Sequence, residues 1–183
     1  MRSVPNILIT GTPGTGKTTL SELLEIATGF KHINCSELVK EKKLHDGYDE
    51  EFDTYILNDD KLNDELEEIM EDGGKIVDFH SSDMFPERFF DLVVVLQTDN
   101  GVLYKRLEKR NNLEIIKLFS GYSQKKITEN IECEIMQVVL EEASEAYKPE
   151  ILVKLNSNNI EEMESNVERI QEWISEYMKN NSN

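Results

Sequence analysis

The segment Gly11-Thr12-Pro13-Gly14-Thr15-Gly16-Lys17-Thr18 fills the pattern G-x-x-x-x-G-K-[ST] in full, and this pattern constrains the fold more than any other feature of the chain. It follows the short apolar run Asn6-Ile7-Leu8-Ile9-Thr10 and precedes a stretch from Thr18 to Leu24 whose leucines have helical spacing. Strand, loop and helix therefore succeed one another as the motif requires. The glycines let backbone N–H groups turn inward around phosphate oxygens. The helix beginning near Lys17 aims its positive dipole end at them, and the lysine adds a full charge. Thr18 is then placed to ligate magnesium. The alternative, a glycine-rich turn that binds nothing, does not account for the flanking strand and helix.

Other segments extend the alternation. His32-Ile33-Asn34 is a brief candidate strand, and Ser36 to about Lys43 a capped helix that ends in the polar loop His45-Asp46-Gly47-Tyr48-Asp49-Glu50-Glu51. From Asp59 to Met70 the positions Leu62, Leu66, Ile69 and Met70 recur at helical intervals until Gly73-Gly74 ends the pattern. Lys75 to Phe79 reads as a strand. Leu92-Val93-Val94-Val95-Leu96 is the continuous β-branched run of a parallel strand covered on both faces. Helices are expected over Asp99 to Arg110, over Thr128 to Tyr147 as one long element, and over Ile160 to Met178, with a last strand at Ile151 to Leu155. Parallel neighbours need long right-handed crossovers. The expected fold is α/β, a doubly wound five-stranded parallel sheet in a single domain of 183 residues, a length that closes one core.

Composition narrows the function. A formal net charge of −17 works against direct nucleic-acid binding, which is driven by cationic contacts that release phosphate counterions. It suits a basic protein partner, or simply keeps acidic helices solvated. No basic stripe with interleaved aromatics is present. Cys35 and Cys133 lack metal-ligand spacing, so reduced thiols inside the cell are expected. No apolar run approaches the roughly 18 residues of a membrane span, and the phosphate loop follows the N-terminus too closely for a cleavable signal. The expectation is a soluble intracellular protein.

Several residues could serve phosphoryl transfer. Asp78 ends an apolar strand, where a carboxylate can orient magnesium or its water shell opposite Thr18, although an acid there also serves as a turn cap. His80 would point to the same side of an extended strand end, to meet a phosphate, a water or the carboxylate, or else to pack the end of the sheet. His32 and His45 have no comparable setting. The chain has five arginines, and Arg88, Arg106 and Arg110 fall in one stretch together with Lys105 and Lys109. Arginine's planar fork binds phosphate oxygens bidentately, and Arg106 and Arg110 share a helix face. An exposed, salt-bridged basic face is the other reading.

Taken together, the segments PNILITGTPGTGKTTL, HDGYDEEFDTYIL, IVDFHSSDMFPERFFD, LYKRLEKR and GYSQKKITENIECEI resemble the nuclear adenylate kinase family, also called adenylate kinase isoenzyme six, over nearly the whole chain. The resemblance implies a P-loop nucleoside monophosphate kinase fold with a monophosphate-binding insertion at about 34–57 and a lid at about 110–127. It implies that Gly14, Thr15, Gly16, Lys17, Thr18 and Thr19 cradle ATP, and that Arg110 contacts the nucleotide. Asp78 and His80 would form a Walker B-like motif serving Mg2+ and catalysis. Ser36, Lys40, Asp83 and Arg88 are the implied contacts to AMP or a related monophosphate. It further implies ATPase activity, a basic small-subunit ribosomal protein as partner, a part in small-subunit ribosomal RNA maturation, and residence in nucleus and cytoplasm; a monomer is expected. Two features depart from the family pattern. Residues 111–120 separate Arg110 from Gly121-Tyr122 as an apolar enlargement of the lid, and Lys40 stands where an arginine is common. Lysine cannot make the same bidentate phosphate contact, so weaker AMP binding is expected.

Overall fold

The computed structural model describes residues 2–49, 54–116 and 124–181, with side chains for all of these except 111–116. In chain order the elements are β1 (Ile7–Gly11), α1 (Lys17–Thr28), β2 (Lys31–Asn34), α2 (Cys35–Lys42), β3 (His45–Asp49), β4 (Thr54–Leu57), α3 (Asp59–Glu71), β5 (Lys75–Asp78), a 3-10 turn (Glu87–Phe89), β6 (Leu92–Gln97), α4 (Asn100–Ile116), α5 (Gln124–Ile135), α6 (Val138–Ala146), β7 (Leu152–Asn156) and α7 (Ile160–Asn181). No helix among the described residues is long and apolar enough to cross a membrane.

Five strands form one sheet in the order β2-β5-β1-β6-β7, with every pair parallel. Strand alternation divides the core in two. Ile7, Ile9, Leu92, Val94 and Leu96 face Leu20 and Leu24 of α1 and Ile170 and Ile174 of α7. Leu8, Val77, Val93 and Val95 face Leu62, Leu66 and Met70 of α3, the phenylalanines 79, 85, 89 and 90, and Tyr147. Both faces are therefore apolar, and so these strands read as continuous hydrophobic runs. The chain fills one half of the sheet, then crosses β1 to build the other. The loop after β1 and the end of β5 thus share the crevice at the strands' carboxyl ends, where ligands of such sheets bind.

Three sequence expectations need correction. The polar loop at 45–51 begins instead with β3, which pairs antiparallel with β4 across Tyr48 and Tyr55. The hairpin's side chains are half-buried or exposed on both faces, so its sequence carries no alternation for a strand reading to detect. The single helix expected over 128–147 is two, α5 and α6, broken where Gln137 adopts a left-handed φ of 56°. The helix expected to stop at Arg110 continues to Ile116, so residues 111–116 of the apolar enlargement prolong α4. The remainder of that enlargement, with Gly121 and Tyr122, lies outside the described residues.

Candidate active site

The phosphate loop takes its shape from its glycines and its own carbonyls. Gly11 has φ 145°, and a Cβ on it would stand 2.5 Å from the Leu96 carbonyl oxygen of β6, so only glycine lets the loop leave β1 here. The Thr12 carbonyl then accepts from the Thr15 N–H at 3.2 Å, the Thr15 hydroxyl at 2.8 Å and Lys17 Nζ at 3.2 Å. Lys17 Nζ also donates to the Gly11 carbonyl at 2.8 Å, which folds the ammonium back over the loop it follows. Gly16, with φ 97° and ψ 19°, starts α1, whose open N–H groups face the same space. Thr19, like Thr18, is exposed on the first turn of α1.

Asp78 arrives from β5. Strand register aligns it with Ile9 on one side and Asn34 on the other, and it is 3% exposed. Its Oδ2 accepts from the Thr18 hydroxyl at 2.6 Å and from Asn34 Nδ2 at 3.4 Å, with His32 Nε2 at 3.5 Å. A hydroxyl and a carboxylate side by side are the hard oxygen donors that suit Mg2+, which keeps several waters and takes its other ligands from substrate phosphates. The pair Thr18 and Asp78 therefore fits that ion.

Charge in the cleft is closely coupled. Burial lowers the Lys17 pKa to about 8; the Asp78 carboxylate opposes this, Arg110 adds to it, and Glu134 opposes it. Solvent still reaches part of the lysine. Arg110, exposed on α4, is thus near enough to act on Lys17. The His80 ring is open to solvent but surrounded by protein on its other sides. This enclosure lowers its pKa to about 4, Lys17 adds to the effect, and Asp78 opposes it. His80 is accordingly neutral at pH 7 and able to accept a hydrogen bond. Lys17, Thr18, Asp78, His80 and Arg110 converge on one crevice.

Two arginines are placed elsewhere. Arg106, expected to stabilise the moving phosphate, gives its guanidinium to the backbone: Nη2 donates to the Ser157 carbonyl at 2.7 Å and the Asn158 carbonyl at 3.2 Å, and Nη1 lies 3.4 Å from the Thr98 hydroxyl. It braces the turn between β7 and α7. Arg88, expected at the monophosphate, pairs with Glu67 of α3 at 2.6 Å and lies 5.3 Å over the Phe89 ring. Ser36 and Lys40 are exposed one turn apart on α2, and so share a face. Asp83 is exposed and close enough to Glu142 of α6 to help raise that carboxyl's pKa, after burial.

Four features of the cleft escape the linear sequence. His32, set aside on sequence, has its Nε2 buried beside Asp78. Asn34 both bonds Asp78 and caps α2, accepting from the Glu37 N–H at 3.1 Å. Ser157 ties the β7–α7 turn to the phosphate loop by donating to the Thr15 carbonyl. Glu134 bonds the loop's Thr12. For the first two the only signal is strand register, which requires the strand order.

Comparison with known proteins identifies the family and the fold. A family model described as an AAA domain matches residues 7–137. The chain is 52% identical over 181 residues to the adenylate kinase isoenzyme 6 homolog of Dictyostelium discoideum, with 98% of each chain covered. It is 49% identical over 179 residues to the Schizosaccharomyces pombe homolog, covering 98% of this chain and 97% of the relative. With the Caenorhabditis elegans homolog the identity is 44% over 178 residues, covering 96% and 92%. Among solved structures, a shikimate kinase from Bacteroides thetaiotaomicron is similar with a TM-score of 0.58 at 18% identity, covering 93% of this chain and 98% of that one. A gluconokinase from Sinorhizobium meliloti gives 0.53 at 15%, covering 96% and 98%. These two likenesses concern the fold alone, which is that of P-loop kinases.

Proposed function

The chain belongs to the adenylate kinase isoenzyme 6 family, and from that premise we propose that it transfers the γ-phosphate of ATP to AMP or a related nucleoside monophosphate such as dAMP or CMP, and to water when no monophosphate is present. The observation that carries this reading is the convergence of Lys17, Thr18, Asp78 and His80 at the carboxyl ends of β1 and β5, with Arg110 within electrostatic reach.

The loop N–H groups of Gly14 to Thr19 and the N-terminus of α1 receive the phosphates, and Lys17 exchanges its carbonyl partners for phosphate oxygens. Thr18 and Asp78 would hold Mg2+, which when bound neutralises charge on the β- and γ-phosphates. An acceptor phosphate oxygen attacks the γ-phosphorus, the bond to the bridging oxygen breaks, and ADP departs with that electron pair. Lys17 and Arg110 stabilise the charge that spreads over the transferred group. A monophosphate acceptor is already anionic and needs no base. With water as acceptor, neutral His80 accepts its hydrogen bond and orients it, and the water's proton passes to an oxygen of the phosphate that forms. Ser36, Lys40 and Asp83 are offered as contacts on the acceptor side. Arg88 joins them on leaving Glu67.

The experiment is ADP formation by the purified full chain with ATP and Mg2+, compared across AMP, dAMP, CMP, other monophosphates and water alone. Turnover above the water rate with at least one monophosphate is expected. ATP bound but consumed with no acceptor would end the kinase reading.

The net charge of −17 favours a second reading, in which ATP turnover switches affinity for a basic small-subunit ribosomal protein during small-subunit assembly and RNA maturation, in nucleus and cytoplasm, with the chain acting as a monomer. It is tested by nucleotide-dependent pull-down of small-subunit ribosomal proteins at low salt. Retention that is the same with ATP, ADP and no nucleotide would count against it.

A further inference from the structure

Near a site for a polyanion, a carboxylate opposes binding unless something else is gained by its position. Glu134 of α5 is such a carboxylate. Its Oε2 accepts from the Thr12 hydroxyl, and its Oε1 accepts from the Thr98 N–H at 2.8 Å. Thr12 is 1% exposed and Thr98 5%, so one side chain fastens the phosphate loop, the end of β6 and α5 together where little water competes. Both oxygens are occupied by donors, and bonds of this charge-assisted kind are the stronger ones.

A second contact runs parallel to the first. Leu103 and Leu107 of α4 form a small buried cluster with Ile127 of α5, and Ile131 packs against it. The loop's Gly14 rests on the same cluster, since a Cβ there would stand 2.9 Å from Leu103 Cδ1 and from Leu107 Cδ2. The apolar contact seats the loop on α4 and α5. The Glu134 carboxylate fixes its direction.

We propose that Glu134 is a positioning residue for ATP, holding the phosphate loop pre-formed from α5 through Thr12 and Thr98. The inference rests on reading that loop as the ATP site. Pre-formed binding groups lose less freedom when the ligand arrives, so the loss of Glu134 should appear in ATP affinity and not in the acceptor's.

The test uses the full chain, with ATP affinity measured by calorimetry and KM and kcat from ADP formation. Glu134→Ala is expected to weaken ATP binding and raise its KM about tenfold, with kcat within about twofold and the KM for the monophosphate unchanged. Glu134→Gln should recover most of the affinity, because its amide oxygen accepts from Thr98 and its amide nitrogen donates to the Thr12 hydroxyl. Thr12→Val should reproduce the Glu134→Ala defect, and the double variant should be no worse than either single change. If Glu134→Ala does not fold, Thr12→Val and Glu134→Gln carry the test. Unchanged or tighter ATP binding in Glu134→Ala or Thr12→Val, additive defects, or a fall in kcat at constant KM would each overturn the proposal. A wild-type chain that binds no ATP would instead overturn the reading of the loop itself.

Discussion

Arg106 and Arg110 stand one turn apart on the same helix, yet the structure gives them opposite consequences when each is changed to alanine. Arg106→Ala removes the two donors at the Ser157 and Asn158 carbonyls. Hydrogen bonds to a charged group contribute about 1.5–3 kcal/mol each. Because the guanidinium is only partly buried, about half of the summed value is retained, or about 1.5–3 kcal/mol. A domain of this size loses about 2–4 °C of Tm per kcal/mol, so the variant should melt about 3–12 °C below the wild type. Its effect on ATP should be secondary, transmitted through the β7–α7 turn that Ser157 ties to Thr15. Arg110 is exposed, and its link to the site is electrostatic, through Lys17. Arg110→Ala should keep its Tm within about 3 °C and lose roughly 100- to 1,000-fold in kcat/KM. Scanning fluorimetry with steady-state ADP formation separates the two outcomes. An Arg106→Ala protein that melts with the wild type but has lost turnover would return Arg106 to the phosphates and refute the assignment. An Arg110→Ala protein that is unstable but fully active would refute the other half.

Three further outcomes follow from the same contacts. Asp78→Asn should leave Tm within about 5 °C of the wild type, because the weaker Thr18 bond is offset by removing a buried charge, while turnover with Mg2+ falls roughly 100-fold or more; a variant that is destabilised but active would contradict this. Gly11→Ala places a methyl group against the Leu96 backbone oxygen and should destabilise by about 3 kcal/mol or more, whereas Gly29→Ala, at φ 75° with nothing within 4 Å, should lose only about 1–2 kcal/mol, and equal Tm losses for the two would refute the steric argument. Burial and then the Asp78 charge raise the Cys35 thiol pKa, and burial is the first cause raising that of Cys133; a higher pKa means less thiolate at pH 8, so both should react with a disulfide reagent more slowly than free cysteine, Cys35 only on unfolding. Rapid modification of Cys35 in the native chain would show that its pocket opens.

What the sequence made legible divides by range. The phosphate loop could be read because its glycines, lysine and threonine fall within eight consecutive residues, and the same holds for the Asp78-His80 strand end. The sheet could be read because strands apolar on both faces leave continuous runs, as Leu92 to Leu96 does. The β3–β4 hairpin escaped because neither face is buried, and the break between α5 and α6 escaped because Gln137 takes a left-handed conformation with no glycine or proline to mark it. The deeper loss concerns the groups around the proposed catalytic ones. Asn34 and His32 reach Asp78 only because β2 lies beside β5, and Glu134 reaches Thr12 across 122 residues of chain. Arg106 was drawn to the phosphates by its charge and spacing, yet it stabilises the turn whose Ser157 bonds the Thr15 carbonyl. Residues that touch substrate are held to a short motif by the geometry of the ligand, whereas the residues that hold them still can come from any element the fold brings near. A charged side chain in this fold therefore has to be assigned from what its polar atoms bond, and a sequence pattern alone identifies only the set from which the assignment is made.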